Sequence, residues 1–211
     1  MIDTLFLVLE LIGTAAFAVS GAMTGLQKRM DLFGVCMLGV TTAVGGGVLR
    51  DILLGNVPPN MFRDPTYAAV AVAVSLILFL PGVRRCLTWD SRRFNLVLLI
   101  MDTLGLSIFT VTGMGVAYSY TARPTLFLLC FVGVITGVGG GVLRDIMAGD
   151  TPYIFRKHVY ASASLAGALV CGLLHATSSV IAMFAGAVVI SLIRLLSAYF
   201  RWNLPHPSEE V

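Results

Sequence analysis

The stretch GGGVLRDI at residues 45–52 decides the fold of this chain, because it recurs without change at residues 139–146. Both copies lie inside long apolar runs. Three consecutive glycines cost a helix roughly 1 kcal/mol each, and the Arg-Asp pair that follows them puts two charges among Val, Leu and Ile. Neither feature benefits a simple membrane anchor. Non-helical backbone at membrane depth needs protein or water around it, so the doubled stretch predicts two interrupted helices beside a polar path through a bilayer.

The composition is that of a membrane protein. Of the 211 residues, 57% are hydrophobic and 12% are charged, whereas soluble domains carry roughly 25% charged residues. The four cysteines are scattered singly, without metal-ligand spacing, and we interpret them as small apolar core residues. The sequence contains no Ser-His-Asp, Cys-His or nucleotide-binding arrangement. It therefore argues against an enzyme, a cofactor or metal site, and a nucleic-acid partner.

Apolar runs of the length that crosses a bilayer, about 20 residues, fill the whole chain. Seven spans are predicted: Thr4–Leu26, Leu32–Leu54, Tyr67–Val83, Phe94–Ala117, Thr125–Ala148, Val159–His175 and Val180–Phe200. The connections between them are short. The expected fold is therefore an all-α membrane protein with seven transmembrane helices, forming a single membrane domain over residues 1–211.

The duplication extends well beyond the two glycine triplets. Matched positions include Glu10 with Asp102, Phe17 with Phe109, and Tyr67 with Tyr160. Each repeat contains three spans, at about residues 4–83 and 94–175, and the span at about residues 180–200 stands outside the duplication. Because three is an odd number, the second repeat enters the membrane from the other side. We expect inverted repeats, related by a pseudo-two-fold axis in the membrane plane.

The basic residues predict the orientation of the chain. With the N-terminus outside, nine of them fall on the cytoplasmic side: Lys28, Arg29, Arg84, Arg85, Arg92, Arg93, Arg156, Lys157 and Arg201. The opposite side keeps Arg63 and Arg123. Because cytoplasmic loops are enriched in Lys and Arg, we expect an external N-terminus and a cytoplasmic C-terminus.

The glycine triplets are expected to frame an ion path. Each lies roughly 20 Å along its helix, so the two approach the midplane from opposite sides. Carbonyl oxygens released at a helix break can replace part of a cation's hydration shell, and the hydroxyls of Thr41, Thr42 and Thr136 add further oxygen ligands. We therefore expect Gly45–Gly47 and Gly139–Gly141 to line the path. Close helix packing is the alternative interpretation of these glycines.

The charges near the triplets are expected to pair across the helices of each repeat. Depth and repeat symmetry predict two ion pairs: Glu10 with Arg50, and Asp102 with Arg144. With both arginines neutralised, Asp51 and Asp145 would be free to attract cations. A purely structural role, in which the pairs hold helices together beside a pore, is the alternative.

Two classes of function fit these residues. A channel needs a continuous path that binds ions weakly, and backbone carbonyls favour cations. A secondary transporter of a small zwitterion needs one occluded site, and the helix N-termini that follow the triplets favour anionic groups. The residues alone leave both classes open.

The doubled motif resembles a known family. Each copy is followed by Gly and Pro, at Gly55 and Pro58 and again at Gly149 and Pro152. A seven-span chain with this motif is similar to the prokaryotic trimeric intracellular cation (TRIC) channels, and equally to the bacterial inner-membrane proteins that carry a glycine transporter domain. The Lys-Glu-Val motif associated with gating in animal members is absent from the second repeat. Gating by Ca²⁺, voltage or phosphoinositide is therefore not implied.

The resemblance implies a specific assembly and activity. It implies a homotrimer in the bacterial plasma membrane, in contact with membrane lipid, with one pore in each subunit. The pore would be lined by the second and fifth spans, kinked at the glycine triplets, and would pass K⁺ and Na⁺. We accordingly interpret the chain as a monovalent cation channel. The alternative is a secondary transporter of glycine or a similar small solute.

Overall fold

The computed structural model describes residues 2–88, 90–120, 123–156 and 159–202. The basic residue Lys157, assigned above to the cytoplasmic side, lies outside these ranges. Within them the chain forms ten helices and no strand: α1 Ile2–Gln27, α2 Leu32–Leu53, α3 Asn60–Arg63, α4 Thr66–Phe79, α5 Pro81–Thr88, α6 Ser91–Tyr120, α7 Leu126–Met147, α8 Tyr153–Arg156, α9 Ala161–Leu174 and α10 Ser179–Phe200. The all-helical membrane class predicted from the sequence is confirmed in this part of the chain.

Seven of these helices coincide with the predicted spans, but they differ in length. Five are long and apolar enough to cross a membrane: α1, α2, α6, α7 and α10. The helices α4 and α9 have 14 residues each, about 21 Å at 1.5 Å per residue, which is shorter than a hydrocarbon core of about 30 Å. The third span ends early because Pro81 holds Leu80 in an extended conformation (ψ 135°). The count of seven spanning helices therefore stays a prediction.

The ends of α2 and α7 are built alike. The Asp31 carboxylate accepts a hydrogen bond from the Gly34 N–H at the start of α2, and the Thr125 hydroxyl oxygen accepts one from the Leu128 N–H at the start of α7. After each helix a glycine turns the chain at positive φ, Gly55 at 73° and Gly149 at 72°. Glycine adopts this left-handed conformation without steric cost, so both helices stop shortly after their Arg-Asp pair.

Both glycine triplets lie inside continuous helices, so the predicted interruptions are wrong. The physical reason is the contact between α2 and α7. A Cβ atom on Gly46 would overlap the carbonyl oxygen of Thr136, and a Cβ on Gly140 would overlap that of Thr42. The glycines let two backbones touch, as small residues do between membrane helices. This close packing, which was the alternative interpretation, explains why the helices tolerate three glycines in a row.

The other long helices pack around this crossing of α2 and α7. α1 packs against α2, α4 and α6, while α7 packs against α2, α6 and α9. α10 lies on α6 and α9. The centre is apolar: the rings of Phe17 on α1 and Phe109 on α6 are 5.3 Å apart between centroids, and both are buried. The middle of the molecule is therefore closely packed with apolar side chains in this conformation.

The crossing can be tested with adjacent glycines of one triplet. We expect Gly46→Ala to lower the free energy of unfolding by about 1–3 kcal/mol, because the new methyl group overlaps backbone on α7. Gly47→Ala is the matched control, since its Cβ would meet only the Arg50 side chain, at 3.7 Å, and alanine favours a helix by up to about 1 kcal/mol. Unfolding of both variants in detergent measures the difference. Equal stability of the two variants would contradict the contact.

A candidate ion path with two charged ends

The first charged cluster joins α1, α2 and α4. Arg50 Nη1 lies 3.7 Å from Glu10 Oε1, and Arg50 Nε donates to Asp51 Oδ1 at 2.9 Å. The Tyr67 hydroxyl donates to the other oxygen of Glu10 at 2.8 Å. Arg50 and Asp51 are buried, whereas 19% of the Glu10 side chain is exposed. Glu10 is therefore the carboxylate of this cluster that water reaches.

The second charged cluster joins α1, α6 and α7. Arg144 Nη1 donates to Asp102 Oδ1 at 2.7 Å, and Arg144 Nε donates to Asp145 Oδ1 at 2.9 Å. The Ser20 hydroxyl on α1 accepts a further hydrogen bond from Arg144 Nη1. All four side chains are buried. The structure thus brings Glu10 to Arg50 and Asp102 to Arg144, as repeat symmetry led us to expect.

The expectation that Asp51 and Asp145 stay free to attract cations is wrong. Both accept a hydrogen bond from the arginine that precedes them in the sequence. The second oxygen of Asp51 accepts the Asn60 N–H at 2.8 Å, and that of Asp145 accepts the Tyr153 N–H at 2.7 Å. These N–H groups are at the first residues of α3 and α8. Backbone donors at a helix start need a partner, and a carboxylate is a favourable one.

Arg194 on α10 is a site residue that the sequence interpretation missed. Its Nη2 lies 3.5 Å from Asp102 Oδ2, and its guanidinium carbon lies 4.7 Å from the ring centroid of Tyr160 and 5.4 Å from that of Tyr153. The side chain is buried. The signal was present, since an arginine inside an apolar span is a functional candidate in its own right.

Two cavities adjoin the clusters. The Glu10 cavity, of about 70 Å³, is lined by Glu10, Thr14, Gly47, Arg50, Asp51 and Tyr67, among others. The Asp102 cavity, of about 840 Å³, is lined by Asp102, Arg144, Asp145, Arg194, Arg92 and Arg201, among others. On α1 the two cavities are reached from Thr14 and from Thr24, and the buried Phe17 lies between these positions. They therefore open toward opposite ends of the molecule.

The remaining glycines predicted to line the path lie at the closely packed crossing of α2 and α7, outside both cavities. Gly45, Gly46, Gly139, Gly140 and Gly141 are all buried, and neither cavity includes them among its lining residues. A Cβ on Gly141 would lie 2.9 Å from the Tyr160 hydroxyl. No cavity therefore connects the two clusters through these glycines in the described part of the chain.

The predicted hydroxyl ligands belong to the same region. Thr42 and Thr136 are fully buried, and their hydroxyls donate to the carbonyl oxygens of Leu38 and Val132 at 2.6 Å. Thr41 is half-buried and lines neither cavity. The arrangement thus consists of two charged clusters, each lining a cavity, and a closely packed crossing of α2 and α7. In the described part of the chain, no group of His, Cys, Asp and Glu side chains could hold a metal ion.

The sequence has clear relatives. A family model described as glycine transporter matches residues 7–81 and 99–176. The UPF0126 inner membrane protein YadS of Escherichia coli (strain K12) is 41% identical over 205 residues, which cover 95% of this chain and 94% of that protein. The UPF0126 membrane protein YvgT of Bacillus subtilis (strain 168) is 32% identical over 200 residues, which cover 95% of each.

The fold also matches solved structures. A prokaryotic TRIC channel crystallised in 0.5 M KCl is 30% identical and superposes with a TM-score of 0.87, covering 96% of this chain and 100% of that one. A TRIC trimeric intracellular cation channel orthologue from Rhodobacter sphaeroides is 31% identical with a TM-score of 0.85, covering 94% and 100%. The ranges matched by the family model, 7–81 and 99–176, contain both charged clusters and the crossing between them.

Removing one arginine tests the strength of the second cluster. We expect Arg144→Gln to lower the free energy of unfolding by about 3–5 kcal/mol, because Asp102 and Asp145 stay buried without their shared cation. Lys28→Gln is the control: it breaks the pair with Asp150, whose side chains are 35% and 41% exposed, and should cost about 0–1 kcal/mol. Denaturant unfolding in detergent gives both values. Equal losses would mean that removing Arg144 leaves no uncompensated buried charge.

Proposed function

We propose that this chain, which belongs to the glycine transporter (TRIC) family of membrane proteins, is a cation channel that passes K⁺ and Na⁺. The observation that carries the proposal is the match to solved TRIC channels over nearly the whole chain. The two charged clusters on either side of a crossing where backbone meets backbone support it, because they give ions an entrance, a constriction and an exit.

The proposed pore runs within one subunit, between α2 and α7. At the crossing, the carbonyl oxygens of Thr42 and Thr136 face Gly140 and Gly46, with no side chain between them. When α2 and α7 separate, these carbonyl oxygens are the first polar groups that the crossing uncovers. Each carbonyl has a second lone pair besides the one used within its helix. Within the triplets Gly45–Gly47 and Gly139–Gly141, Gly46 and Gly140 thus serve the proposed path by keeping side chains away from these two carbonyl oxygens, which replace part of the ion's hydration shell.

The Glu10 cavity is the proposed entrance for cations. It holds two carboxylates, Glu10 and Asp51, against one guanidinium, Arg50. A cleft with excess negative charge raises the local concentration of cations. Glu10 takes the steering role expected above of Asp51, because it is the more exposed of the two acids. By the distribution of basic residues, this cavity faces the outside and the Asp102 cavity faces the cytoplasm.

The proposed assembly is a homotrimer in a bacterial plasma membrane. The helices carry large apolar side chains on their outer faces, such as Phe33 (73% exposed) and Phe127 (79% exposed). Such surface is stable against lipid or a neighbouring subunit. The Rhodobacter sphaeroides relative, described as a trimeric channel, supports the trimer.

A glycine carrier is the second candidate. The family model is described as a glycine transporter, and the Glu10 cavity, of about 70 Å³, contains both an arginine and carboxylates. An arginine would bind the carboxylate of a small zwitterion and Glu10 would bind its ammonium group. The two candidates differ in the form of transport: a channel conducts down a gradient, whereas a carrier saturates with its solute.

Flux into proteoliposomes distinguishes the two candidates. We expect purified protein to pass K⁺ under an imposed potential without any amino acid present, because the path binds ions weakly and continuously. Empty liposomes and liposomes with heat-denatured protein are the controls. Saturable uptake of glycine without steady K⁺ flux would favour the carrier and reject the channel.

The entrance is tested by a charge-removing pair of variants. We expect Glu10→Gln to lower K⁺ flux on the order of tenfold at low ionic strength, and less at high salt, because the cavity loses its excess negative charge. Asp64→Asn is the matched control: this carboxylate is exposed between α3 and α4, and hydrogen bonds from Thr66 hold its pKa below the usual range, so it is charged at neutral pH. Equal flux in the two variants would contradict steering by Glu10.

A further inference from the structure

The guanidinium of Arg194 lies in a pocket with the chemistry of a cation site. One wall is Asp102, whose Oδ2 is 3.5 Å from Arg194 Nη2. The faces of Tyr160 and Tyr153 form the other walls, with ring centroids 4.7 Å and 5.4 Å from the guanidinium carbon. A carboxylate and two aromatic faces together attract a small organic cation by charge and by the cation–π interaction. Below, the cation pocket means these three residues.

Other residues hold the cation pocket in place. The Asp145 carboxylate accepts the backbone N–H of Tyr153 and fixes the start of α8, which carries that ring. Arg144 donates to Asp102 Oδ1 at 2.7 Å and so leaves Oδ2 turned toward the pocket. The pocket is therefore assembled by groups other than its occupant, as in a preorganised ligand site.

Arg194 fits the cation pocket loosely. Its distance of 3.5 Å to Asp102 exceeds the roughly 2.7–2.9 Å of a strong charged hydrogen bond. Its buried Nε atom and the buried hydroxyl of Tyr160 have no hydrogen-bond partner among the described residues. Buried polar groups without partners are rare in a site built for one fixed occupant. The Asp102 cavity, which Arg194 also lines, gives the side chain about 840 Å³ into which it can move.

The first repeat has no such pocket. There the hydroxyl of Tyr67 donates directly to Glu10. Asn60 holds the place of Tyr153, since each donates its backbone N–H to the aspartate of the repeated stretch. Neither a second arginine nor a second aromatic ring is therefore needed for a charged cluster of this kind to form. The cation pocket is thus an addition specific to the second repeat and α10.

We propose that Asp102, Tyr153 and Tyr160 form a binding site for a small organic monocation of the guanidinium class, and that Arg194 occupies it as a tethered ligand. An unattached guanidinium ion carries the same planar charge and fits the same two ring faces. A second role follows if the proposed channel function holds: the tethered guanidinium also neutralises Asp102 at one end of the ion path. Its departure into the Asp102 cavity restores a negative charge where cations pass.

Binding to the purified full-length protein tests the site without any transport. The probe is guanidinium chloride at low millimolar concentration, against KCl at equal ionic strength, with the shift in thermal unfolding in detergent as the readout. We expect Arg194→Ala to bind guanidinium about tenfold more tightly than the unaltered protein, because its pocket is empty. Arg201→Ala is the matched control, since it removes an exposed arginine that lines the same cavity but is not part of the pocket.

A second change identifies the carboxylate. Adding Asp102→Asn to Arg194→Ala should abolish the guanidinium response. Equal responses in Arg194→Ala and the unaltered protein, or a response that survives Asp102→Asn, would overturn the proposal. If Arg194→Ala does not fold, Arg194→Gln replaces it. If neither folds, guanidinium during purification should restore the folded protein, and its failure to do so also overturns the proposal.

Flux then separates this site from the channel proposal. In proteoliposomes, Arg194→Ala should pass K⁺ several-fold faster than the unaltered protein, and millimolar guanidinium should block the variant alone. Specific guanidinium binding by Arg194→Ala, with no K⁺ flux in any variant, would reject the channel and keep the site. K⁺ flux in the unaltered protein without guanidinium binding in the variant would reject the site and keep the channel.

Discussion

The structure depends on one contact, the meeting of two backbones where α2 crosses α7. Gly46 and Gly140 each face a carbonyl oxygen of the other helix, and no side chain fits between them. Because the helices approach so closely, the Arg-Asp pairs that follow the triplets are drawn into the interior as well. There Arg50 meets α1 and Arg144 meets α6. The glycines and the charges are therefore one arrangement, and the repeated stretch needs both.

Arg50 and Arg144, the arginines of the repeated stretch, are each held between two carboxylates. Such a cluster contributes little net stability over an apolar core, but losing one member leaves an uncompensated charge. The aspartates of the repeated stretch also bind the N–H groups that begin α3 and α8. Each cluster thus links a long helix, its neighbour and a short helix. This architecture places charge on both sides of a closely packed crossing and pairs the buried charges of both clusters, as is usual for ionisable residues inside a membrane.

The sequence predicted what depends on local pattern and on repeat symmetry. Hydropathy predicted the long helices, and repeat symmetry predicted that Glu10 pairs with Arg50 and Asp102 with Arg144. The prediction that the glycine triplets interrupt their helices was wrong. Each glycine costs a helix roughly 1 kcal/mol locally, but the contact that offsets this cost comes from a helix distant in the sequence. Asp51 and Asp145 were misjudged because four-residue helices such as α3 and α8 have no periodic signal. Arg194 lies outside the duplication, so symmetry suggested no partner for it.

Arg194 makes the charges of the two clusters unequal. The first cluster contains two carboxylates and one guanidinium, while the second contains two of each once α10 contributes Arg194. Two identical halves would present the same field to an ion from either side. An arginine supplied by the helix outside the duplication lowers the negative charge at one end alone. Any asymmetry of the proposed path therefore originates in α10, whereas the repeated stretch contributes the same residues to both clusters.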